Sequence, residues 1–368
     1  MGVNRVIRRF TFLLFAGTLI SIVAPVSAAV TIGGSNQADM RIDQTESGQV
    51  VDALIDELNQ HYVFPETAAK LEKVLRGHQR HGEYDQINSA KDLADLLSKQ
   101  MQTESNDRHL SVMYSEEAIP EDSVDNKPLK EERLAELANL KSHNFGVTRA
   151  ERLPANIGYL ELEMFAPAKD ASDTIAAAMT MIANTDVLII DLRKNFGGSA
   201  ETVPLVASYL LDERTHLNDL YFRDDNRLEQ MWSAGNVSGA RFGQEKDVYV
   251  LTSGRTFSAA EDFCYSLQSL KRITLVGEAT GGAAHPGGFL RLHPHFSVFI
   301  PNGRAINPIT KTDWEGVGVT PDVASTAKDA LKTAQTLALN KILAATDNLG
   351  KAEQIKARIA AIQSDNAQ

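Results

Sequence analysis

The sequence predicts an α/β core that follows a small helical module, and three patterns indicate this. From residue 157 onward, apolar segments of strand length alternate with amphipathic segments of helical length. Residues 187–192 are almost entirely apolar, which is typical of a strand buried on both faces of a parallel sheet. Residues 46–105 instead carry apolar side chains at helical spacing. Strands that alternate with helices favour a largely parallel sheet.

Three helices are predicted in the N-terminal module. Apolar residues recur at helical spacing over residues 50–58, which gives the first helix. The second begins near Pro65, because proline is favoured in the first turn. The third begins near Ala90, with Ser89 as its N-cap. The module ends in a short strand that starts at His109.

Composition limits the class of partner. The 368 residues are 43% apolar and 23% charged, as in ordinary folded proteins, and this length allows about two domains. The formal net charge of −11 argues against nucleic acid, since phosphate binding needs clustered Lys and Arg. Cys264 is the only cysteine, so neither an intramolecular disulfide nor a multi-thiolate zinc site is expected.

The first 28 residues have the pattern of a secretory signal peptide. Arg5, Arg8 and Arg9 precede an apolar stretch over residues 10–23, and residues 26–28 fit the small-x-small cleavage pattern. We expect cleavage before Ala29 and export to a periplasm or the outside. No later segment approaches the ~20 apolar residues of a membrane span, so no stable span is expected after cleavage.

Ser258 is the first candidate for chemistry. It lies between a predicted buried strand and a predicted helix, where the positive end of the helix dipole stabilises a developing alkoxide. The amide N–H of Ala259 would supply half of an oxyanion hole. The competing interpretation is structural, because Ser258 and Glu261 also form an S-x-x-E capping box.

Gly197 and Gly198 follow the strand that ends near Asp191. Paired glycines at the carboxyl end of a parallel strand let a backbone approach a ligand closely, and their N–H groups would supply the rest of an oxyanion hole. A tight strand-to-helix turn explains the same glycines equally well.

His109 and Glu315 are the remaining candidates. His109 begins an apolar strand, a placement that suits a general base at a strand edge, although a structural histidine is the alternative. Glu315 precedes a glycine-rich turn and could orient a histidine or a water, although a simple exposed loop acid fits as well.

Four segments in this order resemble the tail-specific, C-terminal-processing serine peptidases, over about residues 46–345. They are DLRKNFGG at residues 191–198, FSAAE at 257–261, LVGEATGG at 275–282 and GVGVTPD at 316–322. The resemblance implies a crotonase-like ββα-spiral core behind a small N-terminal helical domain.

Two departures indicate the branch of the family. The processing peptidases carry a catalytic lysine about 25 residues after the serine, but Ala283 stands there, and no lysine lies between Arg272 and Arg304. Only about 45 residues separate His109 from Ile157, too few for the usual PDZ domain. The chain is therefore more similar to the tricorn-type branch and to the domains of interphotoreceptor retinoid-binding protein.

The resemblance implies a role for each candidate. His109 would be the general base and Glu315 the supporting acid, with Glu278 as the alternative. The oxyanion donors would be Gly198 and Ala259, with Gly197 in the same loop, and neither a cofactor nor a metal ion is implied.

We therefore expect an exported serine peptidase that acts on peptide or unfolded protein through an acyl-enzyme on Ser258. A carrier of retinoid or fatty acid on the same scaffold, or an esterase, is the alternative, and the oligomeric state is left open. The expected divisions are a signal peptide (1–28), a helical domain with His109 (29–125), a peptidase core (126–345) and a helical tail (346–368).

Overall fold

The computed structural model describes residues 37–120 and 130–364. The predicted signal peptide lies outside the described residues. The chain divides into two compact units. The first comprises Met1–Glu136, Leu220–Glu229 and His285–Ala305, and the second comprises Leu137–Asp219, Gln230–Ala284 and Ile306–Gln368.

Strands and helices alternate over residues 157–207 and 248–277, as the sequence predicts, whereas strands follow one another directly over residues 216–232 and 287–306. The helices of the described residues are α1 (Gln44–His61), α2 (Pro65–Arg80), α3 (Ala90–Ser105), α4 (Lys130–Ser142), α5 (Ala168–Ile182), α6 (Thr202–Ala207), α7 (Ala259–Ser269), α8 (Ala330–Ala344) and α9 (Leu349–Ser364). The strands are β1 (Ser111–Tyr114), β2 (Val147–Leu153), β3 (Ile157–Leu162), β4 (Val187–Asp191), β5 (His216–Phe222), β6 (Arg227–Trp232), β7 (Val248–Thr252), β8 (Thr274–Gly277), β9 (Gly287–His293), β10 (Phe296–Pro301), β11 (Gly303–Ile306) and β12 (Val323–Ala324).

The first unit packs α1, α2 and α3 against a small antiparallel sheet in the order β1-β10-β9. Ser89 caps α3 by accepting the N–H of Asp92, as predicted. The short strand β1 pairs with β10, with Ser111 opposite Phe299. Since four residues cannot satisfy their own backbone groups, β1 needs this distant partner. The sequence prediction placed residues 285–305 in the core domain instead.

The second unit contains a six-stranded sheet in the order β12-β8-β7-β4-β3-β2. Its strands are parallel except for β2, which runs antiparallel to β3. Every residue of β4 and β7 is buried, and α8 and α9 cover one face of the sheet. The α/β class with an N-terminal helical region is thus confirmed. Because β4 and β7 are parallel neighbours, the loops after them leave the same edge of the sheet.

A further three-stranded sheet has the order β11-β5-β6. Within residues 37–120 and 130–364, no helix is both long enough and apolar enough to cross a membrane.

Candidate active site

Ser258 has a strained backbone at the junction between β7 and α7. Its φ is 53° and its ψ is −120°. A residue with a Cβ rarely adopts a positive φ, and a sparsely populated conformation of this kind costs about 1–3 kcal/mol. A sharp strand-to-helix turn with a strained serine is the arrangement that presents a nucleophilic hydroxyl at the edge of a sheet.

Hydrogen bonds hold this turn against the loop that follows β4. The Thr256 hydroxyl donates to the carbonyl oxygen of Leu192 at 2.9 Å. The N–H of Phe257 donates to the carbonyl oxygen of Asn195 at 3.0 Å. These bonds fix Phe257, the residue before Ser258, beside the DLRKNFGG segment. The loop after β4 and the loop after β7 are therefore held together.

Gly197 lies directly against the serine. A Cβ at this position would be 2.8 Å from the Cβ of Ser258 and 2.9 Å from the nitrogen of Ala259. The φ of Gly197 is +96°, which also disfavours any other residue. Its own N–H donates to the side-chain oxygen of Asn195 at 2.8 Å. Gly197 therefore gives the serine room, while its amide is already engaged.

The backbone of Gly198 is oriented differently. The segment at Phe165 donates its N–H to the oxygen of Gly197 at 2.8 Å and accepts the N–H of Ser199 at 2.7 Å. Gly198 is the bridge partner of Phe165. In a parallel bridge, the flanking residues bond the partner strand, so the N–H of Gly198 points away from Phe165.

Ala259 is the first residue of α7. The N–H groups of the first helical turn have no partner within their own helix, so the N–H of Ala259 is available to an oxygen next to Ser258. It is the second of the two amide donors, with Gly198, that the sequence predicts for an oxyanion hole.

Glu261 connects the serine to a second loop through its buried carboxylate. Its Oε2 accepts the N–H groups of Ser258 at 2.8 Å and Ala283 at 2.9 Å. Its Oε1 accepts the N–H of Gly282 at 2.7 Å and the hydroxyl of Thr280 at 2.5 Å. Burial raises the pKa of Glu261, and the four hydrogen bonds oppose that rise. The predicted capping box is present, but the same carboxylate also anchors residues 280–283.

Glu315 holds the next residue of the same loop. Its carboxylate accepts the N–H of Ala284 at 2.5 Å. Glu278, the alternative acid, is exposed, and its carboxylate accepts the N–H of Ala327 at 2.8 Å. Glu315 thus supports the loop that Glu261 connects to Ser258. Glu278 instead holds the segment that precedes α8.

His109 belongs to the first unit. Its backbone N–H donates to Asp107 at 3.0 Å, and its ring stacks on Phe299 with the ring centroids 5.5 Å apart. Burial lowers the pKa of His109 to about 4, the charge of His285 adds to this, and Asp107 opposes it. The imidazole is therefore neutral at neutral pH, which is the form that accepts a proton.

The predicted residues are divided between the two units. Gly197 and Ala259 lie beside Ser258 in the second unit, which also contains Gly198 and Glu315; His109 lies in the first. The S-x-x-E spacing indicates only a capping role for Glu261, and no motif in the sequence assigns a role to Asp107 or His285. The signals that could have found the last two are an acid two residues before His109 and a histidine directly after the Gly-Gly-Ala-Ala segment.

Comparisons with known sequences identify two family domains. Residues 156–325 match the model of peptidase family S41, and residues 44–142 match the N-terminal domain of peptidase S41 in eukaryotic IRBP. The chain is 27% identical over 168 residues to the chloroplastic carboxyl-terminal-processing peptidase 2 of Arabidopsis thaliana, covering 45% of this chain and 31% of that protein. It is 28% identical over 186 residues to the carboxy-terminal-processing protease of Bartonella bacilliformis, covering 47% of this chain and 39% of that protein.

These matches span well under half the length of the two curated relatives. A crystal structure of a candidate peptidase from Parabacteroides merdae covers 82% of this chain and 98% of its own, with a TM-score of 0.55 and 20% identity, and so shows the fold alone. The chain thus contains a peptidase S41 domain over residues 156–325, preceded over residues 44–142 by a domain that matches the N-terminal domain of that family in eukaryotic IRBP.

Proposed function

We propose that this protein is an exported serine peptidase that cleaves peptide bonds through an acyl-enzyme on Ser258. The observation that carries the proposal is the backbone of Ser258, whose φ of 53° and ψ of −120° lie at a strand-to-helix turn beside Gly197. A serine that served only as a helix cap would have no need of this strain, because N-caps normally have extended backbones. The match of residues 156–325 to peptidase family S41 supports a serine-type peptidase.

In the proposed mechanism, the neutral His109 imidazole takes the proton of the Ser258 hydroxyl. The serine oxygen attacks the carbonyl carbon of the scissile peptide bond, and the N–H groups of Gly198 and Ala259 bind the oxyanion. His109 then gives its proton to the leaving amine, and water hydrolyses the ester by the same route. Glu315 supports the site through the loop at Ala284.

The proposed substrate is a polypeptide, either a protein segment or an unfolded protein. Both curated relatives are named for processing carboxyl termini, which supports a substrate with an accessible end. Export rests on the signal-peptide pattern of residues 1–28, and we propose a periplasmic or extracellular location.

Labelling by a fluorophosphonate tests the proposal, because the reagent reacts with an activated serine. We expect the chain to be labelled, Ser258→Ala to remove the label and His109→Ala to slow labelling by two to four orders of magnitude. His81→Ala is the matched control, since His81 is an exposed histidine of the same unit. Unchanged labelling of Ser258→Ala would sink the proposal.

The match of residues 44–142 to the N-terminal domain of S41 in eukaryotic IRBP favours a second candidate, a carrier of hydrophobic ligands. Tight binding of retinol or a fatty acid, measured by fluorescence, together with no labelling of Ser258, would establish the carrier instead. An esterase shares the same machinery, and comparison of peptide and ester substrates separates it from a peptidase.

A further inference from the structure

Asp107 is a buried carboxylate at the end of α3, with only 1% of its side chain exposed. It follows Asn106, whose left-handed backbone (φ 57°) ends the helix. The Oδ2 atom of Asp107 accepts the Tyr62 hydroxyl at 3.0 Å and lies 2.7 Å from Nδ1 of His285. Its Oδ1 atom accepts the backbone N–H of His109 at 3.0 Å. One carboxylate in the first unit thus serves two histidines.

The contact with His109 is an Asx turn. An aspartate that accepts the N–H two residues later fixes the backbone of the intervening turn. Here that turn carries His109 into β1, so the direction in which the imidazole leaves the backbone depends on where the Asp107 carboxylate is held.

His285 holds that carboxylate from the other side. An ionised carboxylate only accepts, so Nδ1 of His285 carries the hydrogen of the 2.7 Å contact. Its ring also packs edge-on against Phe64, with the centroids 5.2 Å apart. Although burial alone would raise it, the hydrogen bond from His285 and the charges of His285 and His109 lower the pKa of Asp107 below its usual value.

Stability does not explain such a pair. Only 6% of the His285 side chain is exposed, and taking two ionisable groups out of water costs several kcal/mol per ion. Apolar residues of similar volume are often as stabilising as a buried ion pair. A device that fixes the orientation of a catalytic group would give such a pair a purpose.

We propose that Asp107 is the positioning residue for His109 and that the His285 imidazole holds Asp107 in place. This rests on the proposed function, since it assigns a purpose to the base of that mechanism. Asp107→Asn is the sharpest perturbation, because asparagine keeps the volume and the oxygen that accepts the His109 N–H. Its amide group replaces the oxygen that His285 contacts, and forces His285 to carry its hydrogen on Nε2 instead.

The experiment compares fluorophosphonate labelling of Asp107→Asn and His285→Gln with the wild type and with His78→Gln. His78 is the matched control, because its Nδ1 also lies 2.7 Å from a carboxylate, that of Glu83 in the same unit. This pair is accessible to water, since 31% of the His78 side chain and 45% of the Glu83 side chain are exposed. We expect the labelling rate at saturating reagent to fall about tenfold to a hundredfold in the two test variants. The reagent concentration that gives half of that rate should not change. The control should label like the wild type.

The tautomers provide a readout that a purely structural role would not change. In ¹⁵N-histidine NMR of the wild type, the His285 ring should be protonated on Nδ1. In Asp107→Asn, the same ring should be protonated on Nε2. Wild-type protein with the Nε2–H tautomer at His285 would overturn the inference even if neither variant folds. If Asp107→Asn and His285→Gln were both labelled at the wild-type rate while His109→Ala was not labelled, the positioning role of Asp107 would be overturned. The proposed function would still stand. If His109→Ala were labelled at the wild-type rate, both the general-base role of His109 and the positioning role of Asp107 would be refuted.

Discussion

Replacing Glu261 by glutamine should damage the site more than its size suggests. The four partners of the carboxylate all donate hydrogen to it, namely three backbone N–H groups and the Thr280 hydroxyl. An amide offers one oxygen and one NH₂ group. In the less costly orientation, the NH₂ group takes the place of Oε1, which contacts both Thr280 and Gly282. The Thr280 hydroxyl can rotate and accept a hydrogen bond from the NH₂ group. The N–H of Gly282 cannot, so two donors face each other there.

The magnitude follows from that count. A buried donor without an acceptor costs about 1–3 kcal/mol, and the other bonds lose the extra strength that a charged acceptor gives. We expect Glu261→Gln to lose about 3 kcal/mol of unfolding free energy, measured in denaturant. Because Ser258 and Ala283 share one oxygen of this carboxylate, we also expect fluorophosphonate labelling of the folded variant to slow at least tenfold.

Asp262→Asn is the control, since Asp262 is the adjacent buried acid of α7. One oxygen of Asp262 accepts both Asn218 at 3.0 Å and Ser266 at 2.8 Å, so an asparagine oxygen can keep both bonds. Burial raises the pKa of Asp262 to about 6, so the carboxylate is mostly ionised at pH 7 but its burial lowers the free energy of unfolding. Asp262→Asn should therefore label normally and be at least as stable as the wild type. Equal losses in the two variants would refute the reasoning.

Three further predictions concern the serine, its neighbour and the base. Ser258→Gly should abolish labelling yet be about 1 kcal/mol more stable than Ser258→Ala in denaturant, because glycine relieves the strain at φ 53°; equal stability of the two variants would argue against strain. Gly197→Ala should lower both the melting temperature and the labelling rate, since its Cβ would meet the Phe257 carbonyl oxygen at 2.7 Å, whereas Gly254→Ala, with nothing within 4 Å, should change neither. The labelling rate should stay level from about pH 8 to about pH 5, because burial lowers the pKa of His109 to about 4 from an ordinary 6.5. The unfolded chain takes up this proton first as the pH falls, so folding stability should decrease from about pH 6.5 downward; a rate that already halves near pH 6.5 would contradict the assignment.

The fold class could be predicted from local patterns, and the same patterns supplied most of the candidate site residues. The apolar run of β4, the proline that opens α2 and the glycines after β4 each depend on a few neighbouring residues. The four ordered segments then indicated Ser258 and its oxyanion donors. The sequence did not indicate that β9 and β10 belong with the helical unit, because antiparallel pairing with β1 joins residues about 190 positions apart.

The sequence alone determined that Ser258 lies between a buried strand and a helix and that no lysine follows it at the usual distance. Only the tertiary structure decided how Glu261 and Asp107 are used. A capping glutamate and an aspartate just after a helix look ordinary along the chain. Their carboxylates acquire their partners, at residues 280–283 and at His285, from segments that are distant in sequence and adjacent only after folding. Local propensity sets helices and turns, but long-range packing sets which donors a buried carboxylate meets.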